Sequence, residues 1–383
     1  MIKGSNCYLA FFQCRTQDGW VVRLRREKPA PLKNRHKGAA TRKLKTVSKA
    51  LPPAQAEVVT ITYRNSVPID LKSALADSGE LPHSRGNMKE LAAEQLVAIS
   101  RLFSSSVIRE MARKGKSPLF ARLASQSLLL SKVPACEPVY RLFEAAFSLL
   151  KREGRRHEYI YKAALMHKIL LGKHSLQTAS MLNEFRVCDC KADLVILNGT
   201  ATVYEVKSER DSLSRLERQV NAYTKVFGQV YVIAAENHIG EVMGSVPEDI
   251  GILQLTRRHQ ISTLREAVDR RENTSPEAIF DSIRTEEARA ILRSQGLSIP
   301  IVPNTALNSV LRQLFVRLDA RTAHDGMVQV LKKTRNLLPL SDLVDQLPHS
   351  LQIAALSVPL RKMDHTRLVA AVNTRLEDAM AWN

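Results

Sequence analysis

Apolar residues along this chain follow helical spacing, then strand spacing, then helical spacing again. Val139, Phe143, Phe147 and Leu150 recur three and four apart, and Tyr159, Ala163, Met166 and Leu170 repeat the pattern, so each set lies on one face of a helix. An earlier helix is expected from Lys89 to Phe103, directly after Met88. After Gly172 the period changes: residues 180–187, 192–197, 201–207 and 229–234 read as strands, with a helix between the last two. That helix has Asp211 as its expected cap, a stripe of Leu213, Leu216, Val220, Tyr223 and Phe227, and a stop at Gly228. The order β-β-β-α-β describes an α/β core with a mixed sheet. Beyond Leu255 the pattern is helical. Ser275-Pro276 is a capped start and Gly296 its stop, while Leu368, Val372, Leu376 and Ala379 mark one face of a final helix.

Residues 1–87 are rich in Lys, Arg, Pro and turn formers, and within them Val58 to Tyr63 alone reads as a short strand. The expected organisation is a basic disordered arm over 1–87, a helical region over 88–172, the α/β core over 173–258 and a helical C-terminal region over 259–383. Two readings of the arm stay open: a basic tract that follows a nucleic-acid backbone, or an extension upstream of a natural start at Met88.

Charge sharpens the first of these. The 383 residues carry 57 Lys+Arg against 38 Asp+Glu, a net charge of +19. Much of the excess lies in residues 1–50, where the acids are only Asp18 and Glu27. A basic chain meets polyanions, because each Lys or Arg that neutralises a phosphate releases a condensed counterion. The five cysteines, Cys7, Cys14, Cys136, Cys188 and Cys190, form neither a C-x-x-C pair nor a dense framework. That usage fits a reducing cytoplasm, with Cys188 and Cys190 expected as small buried side chains on a strand. No stretch approaches the roughly 20 apolar residues of a membrane span, so no membrane partner is expected.

The chemistry concentrates between Asp193 and Lys207, two apolar strands joined at Asn198-Gly199. Strand alternation puts Glu205 and Lys207 on one face. Asp193 interrupts the partner strand, where a carboxylate is poorly solvated unless something binds it. Two carboxylates, a backbone carbonyl such as that of Val206 and waters form an oxygen shell suited to Mg²⁺, with Mn²⁺ as a substitute. A strict two-residue loop would pair Asp193 with Tyr204 and split the site. A three-residue loop, 198–200, or a glycine bulge would put Asp193 and Glu205 on one face. Such a set suits phosphodiester hydrolysis: Asp193 and Glu205 hold the metal, and Lys207 orients or deprotonates the attacking water and offsets charge on the phosphoryl oxygens.

Asp193, Glu205-Val206-Lys207 and a following helix bearing Gln219-Val-Asn-Ala-Tyr223 together resemble the PD-(D/E)XK nuclease superfamily, particularly RecB-like members with a Q-x-x-x-Y motif. The run from Glu205 to Gln219 looks like an uncharacterised bacterial or prophage branch of it. The resemblance covers roughly residues 88–320, with its specific part at 184–234. It implies a restriction-endonuclease-like core, a mixed β-sheet flanked by helices, with helical N- and C-terminal regions. It also implies catalytic roles for Asp193, Glu205, Lys207, Gln219 and Tyr223. Glu184 is the expected third metal or water ligand, with Glu158 second. An upstream histidine of such enzymes corresponds to His167, and Arg215 and Arg218 are the candidate nucleic-acid contacts. Ala192 stands where the superfamily's name-giving proline would precede Asp193.

Plainer roles stand beside these. Glu205 and Lys207 could form a solvated strand face, Tyr223 could be core, Arg210, Arg215 and Arg218 a solvated helix face, and Asp189 is the rival of Asp193 by alternation. The expected function is a Mg²⁺-dependent nuclease acting on nucleic acid, DNA before RNA, in the cytoplasm. The alternative is an inactive nucleic-acid-binding or partner-recruiting protein on the same fold, with a protein partner met through the helical C-terminal region. No Walker-type phosphate loop is present, so ATP hydrolysis is not expected.

Overall fold

The computed structural model describes residues 8–16, 19–27, 93–152 and 154–383. The chain divides into two units, Met1–Asn87 and Met88–Asn383. In the first, strands β1 (Tyr8–Thr16) and β2 (Gly19–Glu27) pair antiparallel in the register Tyr8↔Glu27 to Thr16↔Gly19. This corrects the expectation of an arm without regular structure: both segments are rich in β-branched and aromatic residues, which favour strands, and the Lys/Arg content masked that signal. Val58 to Tyr63 and the first residues of the Lys89–Phe103 helix lie outside the described residues.

The second unit is built around one six-stranded mixed sheet in the order β3 (Ser180–Val187), β4 (Cys190–Asn198), β5 (Thr200–Lys207), β6 (Gln229–Ala234), β7 (Gly251–Leu255) and β8 (Ile261–Arg265). The first three strands form an antiparallel meander, β5, β6 and β7 run parallel, and β8 returns antiparallel. The helix Leu216–Tyr223 makes the crossover from β5 to β6, as parallel pairing requires a long connection. It starts at Leu216 rather than at Asp211, because Asp211 is engaged elsewhere: its Oδ2 accepts from the Ser208 N–H and hydroxyl at 2.7 and 2.6 Å.

Two hydrophobic cores cover the two faces of the sheet. On one face Leu194, Ile196, Tyr204, Val206, Ile233 and Leu253 pack against the helices of residues 93–173 and against those of 341–380. On the other, Val195, Leu197, Val203, Val230, Val232 and Ile252 pack against Leu216–Phe227 and the helices of residues 276–331. The C-terminal region is therefore not one appended unit. Its first half covers one sheet face, and its second half returns to the N-terminal helices, where Leu376 N donates to Glu137 O at 2.8 Å.

Ser275 caps a helix as expected, its hydroxyl accepting from Ala278 N. That helix ends at Ser282, however, and a second runs Thr285–Ser294 up to Gly296. The final helix also breaks, into Lys362–Asn373 and Leu376–Met380, because Thr374 and Arg375 are extended and bridge back to Pro138. Among the described residues no helix is long and apolar enough to cross a membrane.

Candidate active site

The turn between β4 and β5 fixes the site. Leu194 pairs with Tyr204, Leu197 with Ala201 and Asn198 with Thr200, so the turn closes on Gly199 alone, at φ 70°. This odd loop puts position 193 opposite 205. The β4–β5 ladder stops at Leu194↔Tyr204, yet β5 continues along β6 to Lys207 and β4 continues along β3 to Cys190. The two strands part there, and a cleft opens between them.

Asp193 sits at the parting point and takes over the lost ladder bond, since the Val206 N–H donates to its Oδ2 at 2.8 Å. Alternation slips at this residue: Ala192 faces one core, while Leu194, two residues on, faces the other. A strand residue points its N–H and C=O to the same side, so the Val206 carbonyl also looks toward the cleft, which Val206 lines.

Glu205 is 2 % exposed and fully engaged. Its Oε1 accepts from Lys207 Nζ at 3.0 Å and from Gln219 Nε2 at 2.5 Å, and its Oε2 accepts from the Tyr223 hydroxyl at 2.8 Å. Lys207 also donates to Gln219 Oε1 at 2.8 Å, and the Tyr223 hydroxyl lies 3.0 Å from the Lys191 carbonyl. Gln219 and Tyr223 are four apart on one helix and reach the same carboxylate, as side chains one turn apart can. Tyr223 is both core residue and ligand of the site: its ring packs on Phe227 and its hydroxyl ends in the cluster.

The cleft has a volume of about 330 Å³ and is also lined by Glu158, Asp189, Lys191, Asp211, Arg215 and Arg218. Arg215 and Arg218 are exposed, and among the described residues neither has a carboxylate partner. Arg210 is not in the cleft wall and instead donates to the Gly154 carbonyl at 3.1 Å. Burial, followed by the neighbouring Glu205 and Glu158 carboxylates, pushes the Asp193 carboxyl up to about 7, against the pull of Lys162 and the Val206 N–H. Burial also raises the Glu205 carboxyl, opposed by Lys207, Tyr223 and Gln219.

Two expected residues lie elsewhere. Glu184 faces position 193 across β3, but its backbone is left-handed at φ 53° and its pairing is skipped between Asn183↔Leu194 and Phe185↔Ala192. That break in alternation leaves its side chain in solvent, bound to Lys191 Nζ at 2.6 Å. Glu158, at the start of the Glu158–Leu165 helix, lines the cleft in its place. His167 is remote: it stacks on His349 at 3.4 Å and bonds Gln352 at 3.0 Å. Cys190 is buried as expected, whereas Cys188 is exposed, because it occupies the β3–β4 turn with φ 50°.

Lys162 is the site residue that sequence reading did not find. It is 8 % exposed, pairs with Glu158 and lies 4.0 Å from Asp193 Oδ1. Its signal was present, as a lysine inside an otherwise apolar helical run, Ile160 to Met166, is rarely buried without a charged partner.

In comparisons with known proteins, the family model described as bacteriophage P4 protein cII matches residues 151–336, which hold the whole sheet and cleft. Protein cII of Enterobacteria phage P4 is 34% identical over 87 residues, which are 22% of this chain and 33% of that protein. The chain thus spans a third of the length of this curated relative. No solved structure matches.

Proposed function

We propose that this chain is a divalent-metal-dependent nuclease with a restriction-endonuclease-like core, hydrolysing phosphodiester bonds in nucleic acid, DNA in the first place. The observation that carries this reading is the convergence of Asp193, Glu205, Lys207 and Gln219, from two strands and a helix, on one cleft where β4 and β5 part, with the buried Tyr223 hydroxyl bound to Glu205. The likeness to a phage P4 protein supports a place in phage or prophage biology.

The donor set suits a hard cation. Asp193, Glu205 and the Val206 carbonyl offer oxygen only, as Mg²⁺ prefers. Both carboxyls are pushed upward, chiefly by burial, so each is poorly solvated in its charged form, and a bound cation would relieve that. Among the described residues no three acidic or histidine side chains converge closely enough to hold an ion unaided, so water would complete the shell. A bound divalent ion would supply Lewis-acid polarisation of the phosphate and a more acidic water.

The chain's own groups do the rest. Lys207, held by Glu205 and Gln219, presents a positive charge to a phosphate in the cleft and orients a water beside it. Arg215 and Arg218 at the cleft wall contact the flanking backbone. Gln219 and Tyr223 fix the Glu205 carboxylate, so that its geometry survives the charge changes of a catalytic cycle.

A second reading is favoured by one observation: both Glu205 oxygens are already satisfied within the protein. A closed polar network can be structural, and the fold would then serve as an inactive nucleic-acid-binding or partner-recruiting scaffold. Incubating the full chain with linear DNA, circular DNA and RNA, under Mg²⁺, Mn²⁺ or EDTA, separates the two. Metal-dependent cleavage that falls about 10²-fold or more in Glu205→Ala and Lys207→Ala is the expected result. Folded wild type that binds nucleic acid without cutting, with variants that bind equally well, would establish the second reading instead.

A further inference from the structure

A second cavity, of about 370 Å³, adjoins the cleft and shares Glu158 with it. Lys162 lines this cavity and reaches to 4.0 Å from Asp193, so one side chain's length separates it from the proposed reaction centre. The cationic and acidic groups on its wall are mostly paired already. Lys162 is bound by Glu158 and Glu184 by Lys191. Arg109 remains, with no carboxylate partner among the described residues. The cavity is also walled by aromatic surface, the Phe103 and Tyr159 rings stacking at 4.5 Å. At the same wall Asn183 Oδ1 and His157 Nε2 are buried without a hydrogen-bond partner, an unmet capacity where most buried polar atoms are satisfied.

We propose that this cavity receives the nucleotide next to the cut, its phosphate on Arg109 and its base against the Tyr159 wall, so that the substrate is a single strand or a frayed end. The proposal rests on the nuclease reading and names its substrate class. A base inside a duplex stays in its stack and cannot enter a recess; only an unpaired or extruded nucleotide can. A lone cation beside aromatic surface is the arrangement by which unpaired strands are held, the charge on the backbone and the ring on the base. A duplex, by contrast, would meet only the cleft wall at Arg215 and Arg218.

The test is fluorescence anisotropy in EDTA with labelled single-stranded DNA and a hairpin duplex of the same sequence, comparing wild type, Arg109→Ala and Arg109→Lys. Loss of a charged hydrogen bond predicts about tenfold weaker single-strand binding in Arg109→Ala. Loss of one phosphate contact predicts a salt slope smaller by about 0.7. Duplex binding should stay within about twofold, and Arg109→Lys, which keeps the charge, should recover most of the affinity; equal melting temperatures would exclude misfolding. Equal single-strand affinity and slope in wild type and Arg109→Ala would overturn the proposal, as would wild type that binds no single strand. Cleavage is read separately in Mg²⁺. Wild type that cuts DNA while Arg109→Ala binds single strands normally defeats this inference alone, and a wild type that never cuts, with single-strand binding lost in Arg109→Ala, defeats the nuclease reading and leaves the cavity as a single-strand binding site.

Discussion

Replacing Asp193 by asparagine keeps the outline of the side chain and an oxygen for the Val206 N–H, but removes the charge. The folded protein holds this carboxyl near 7, whereas in the unfolded chain it ionises near its ordinary 3.8. Between those values the folded state binds the proton and the unfolded state does not, so wild type loses stability relative to the asparagine variant as pH rises from 3.8 to about 7. Above 7 the loss is complete. At about 1.4 kcal/mol for each pH step, the full difference has an upper bound of about 4 kcal/mol. Residual solvent at a carboxylate 22 % exposed, and the weaker acceptor left for Val206, bring the expected gain at pH 8 to roughly 1–3 kcal/mol.

The assay is thermal melting of wild type and Asp193→Asn at pH 5 and pH 8 in EDTA. The variant should melt higher at pH 8, and its advantage should shrink at pH 5, where wild-type Asp193 carries its proton. Millimolar Mg²⁺ should then raise the melting temperature of wild type alone, since a ligand stabilises only the state that binds it. A variant that melts lower than wild type at both pH values, with Mg²⁺ shifting neither, would refute the claim that Asp193 is a strained, cation-seeking carboxylate.

Two further outcomes follow from the rest of the fold. Glu287, 3 % exposed, takes both arms of Arg335 at 2.7 and 2.8 Å and caps the Arg284 N–H. Glu287→Gln should therefore lower stability by roughly 3 kcal/mol in chemical denaturation without altering any nucleic-acid binding, and a change below 1 kcal/mol would contradict this account. In the Asp193→Asn background, acid should destabilise the fold. Burial holds the His157 and His167 imidazoles down to about 4, so between 6.5 and 4 the unfolded chain binds protons that the folded one refuses, and stability falls as pH falls through that window. A melting temperature flat from pH 7 to 4.5 in that variant would show that these histidines titrate normally.

The legible part of this protein was its local chemistry. Strand alternation puts Glu205 and Lys207 on one face, the resemblance pointed to Gln219 and Tyr223, which a four-residue helical step places together, and the need for an odd loop follows from asking that Asp193 share the face of Glu205. What was not legible depends on long-range pairing or on a single backbone angle. β7 and β8 are each five residues long, too short for their period to stand out beside the helical segments that follow. The return of residues 341–380 to the N-terminal helices leaves no local trace. Glu184 was expected in the site from the resemblance, as an acid on the preceding strand, and one left-handed residue turns it away.

The same break explains why a site exists at all. An uninterrupted β3–β4–β5 meander would close backbone to backbone along its whole length and leave no opening. Because alternation slips at Glu184 and Asp193 together, β4 leaves β5 after Leu194 and the unpaired Val206 amide is met by a side chain instead of a strand. The carboxylate that fills that gap is held by the backbone on one oxygen and has only Lys162, at 4.0 Å, beside the other. On the proposed reading, asparagine at position 193 should keep the fold and lose the cation, so a variant that folds better while failing to bind a cation is the signature expected of it.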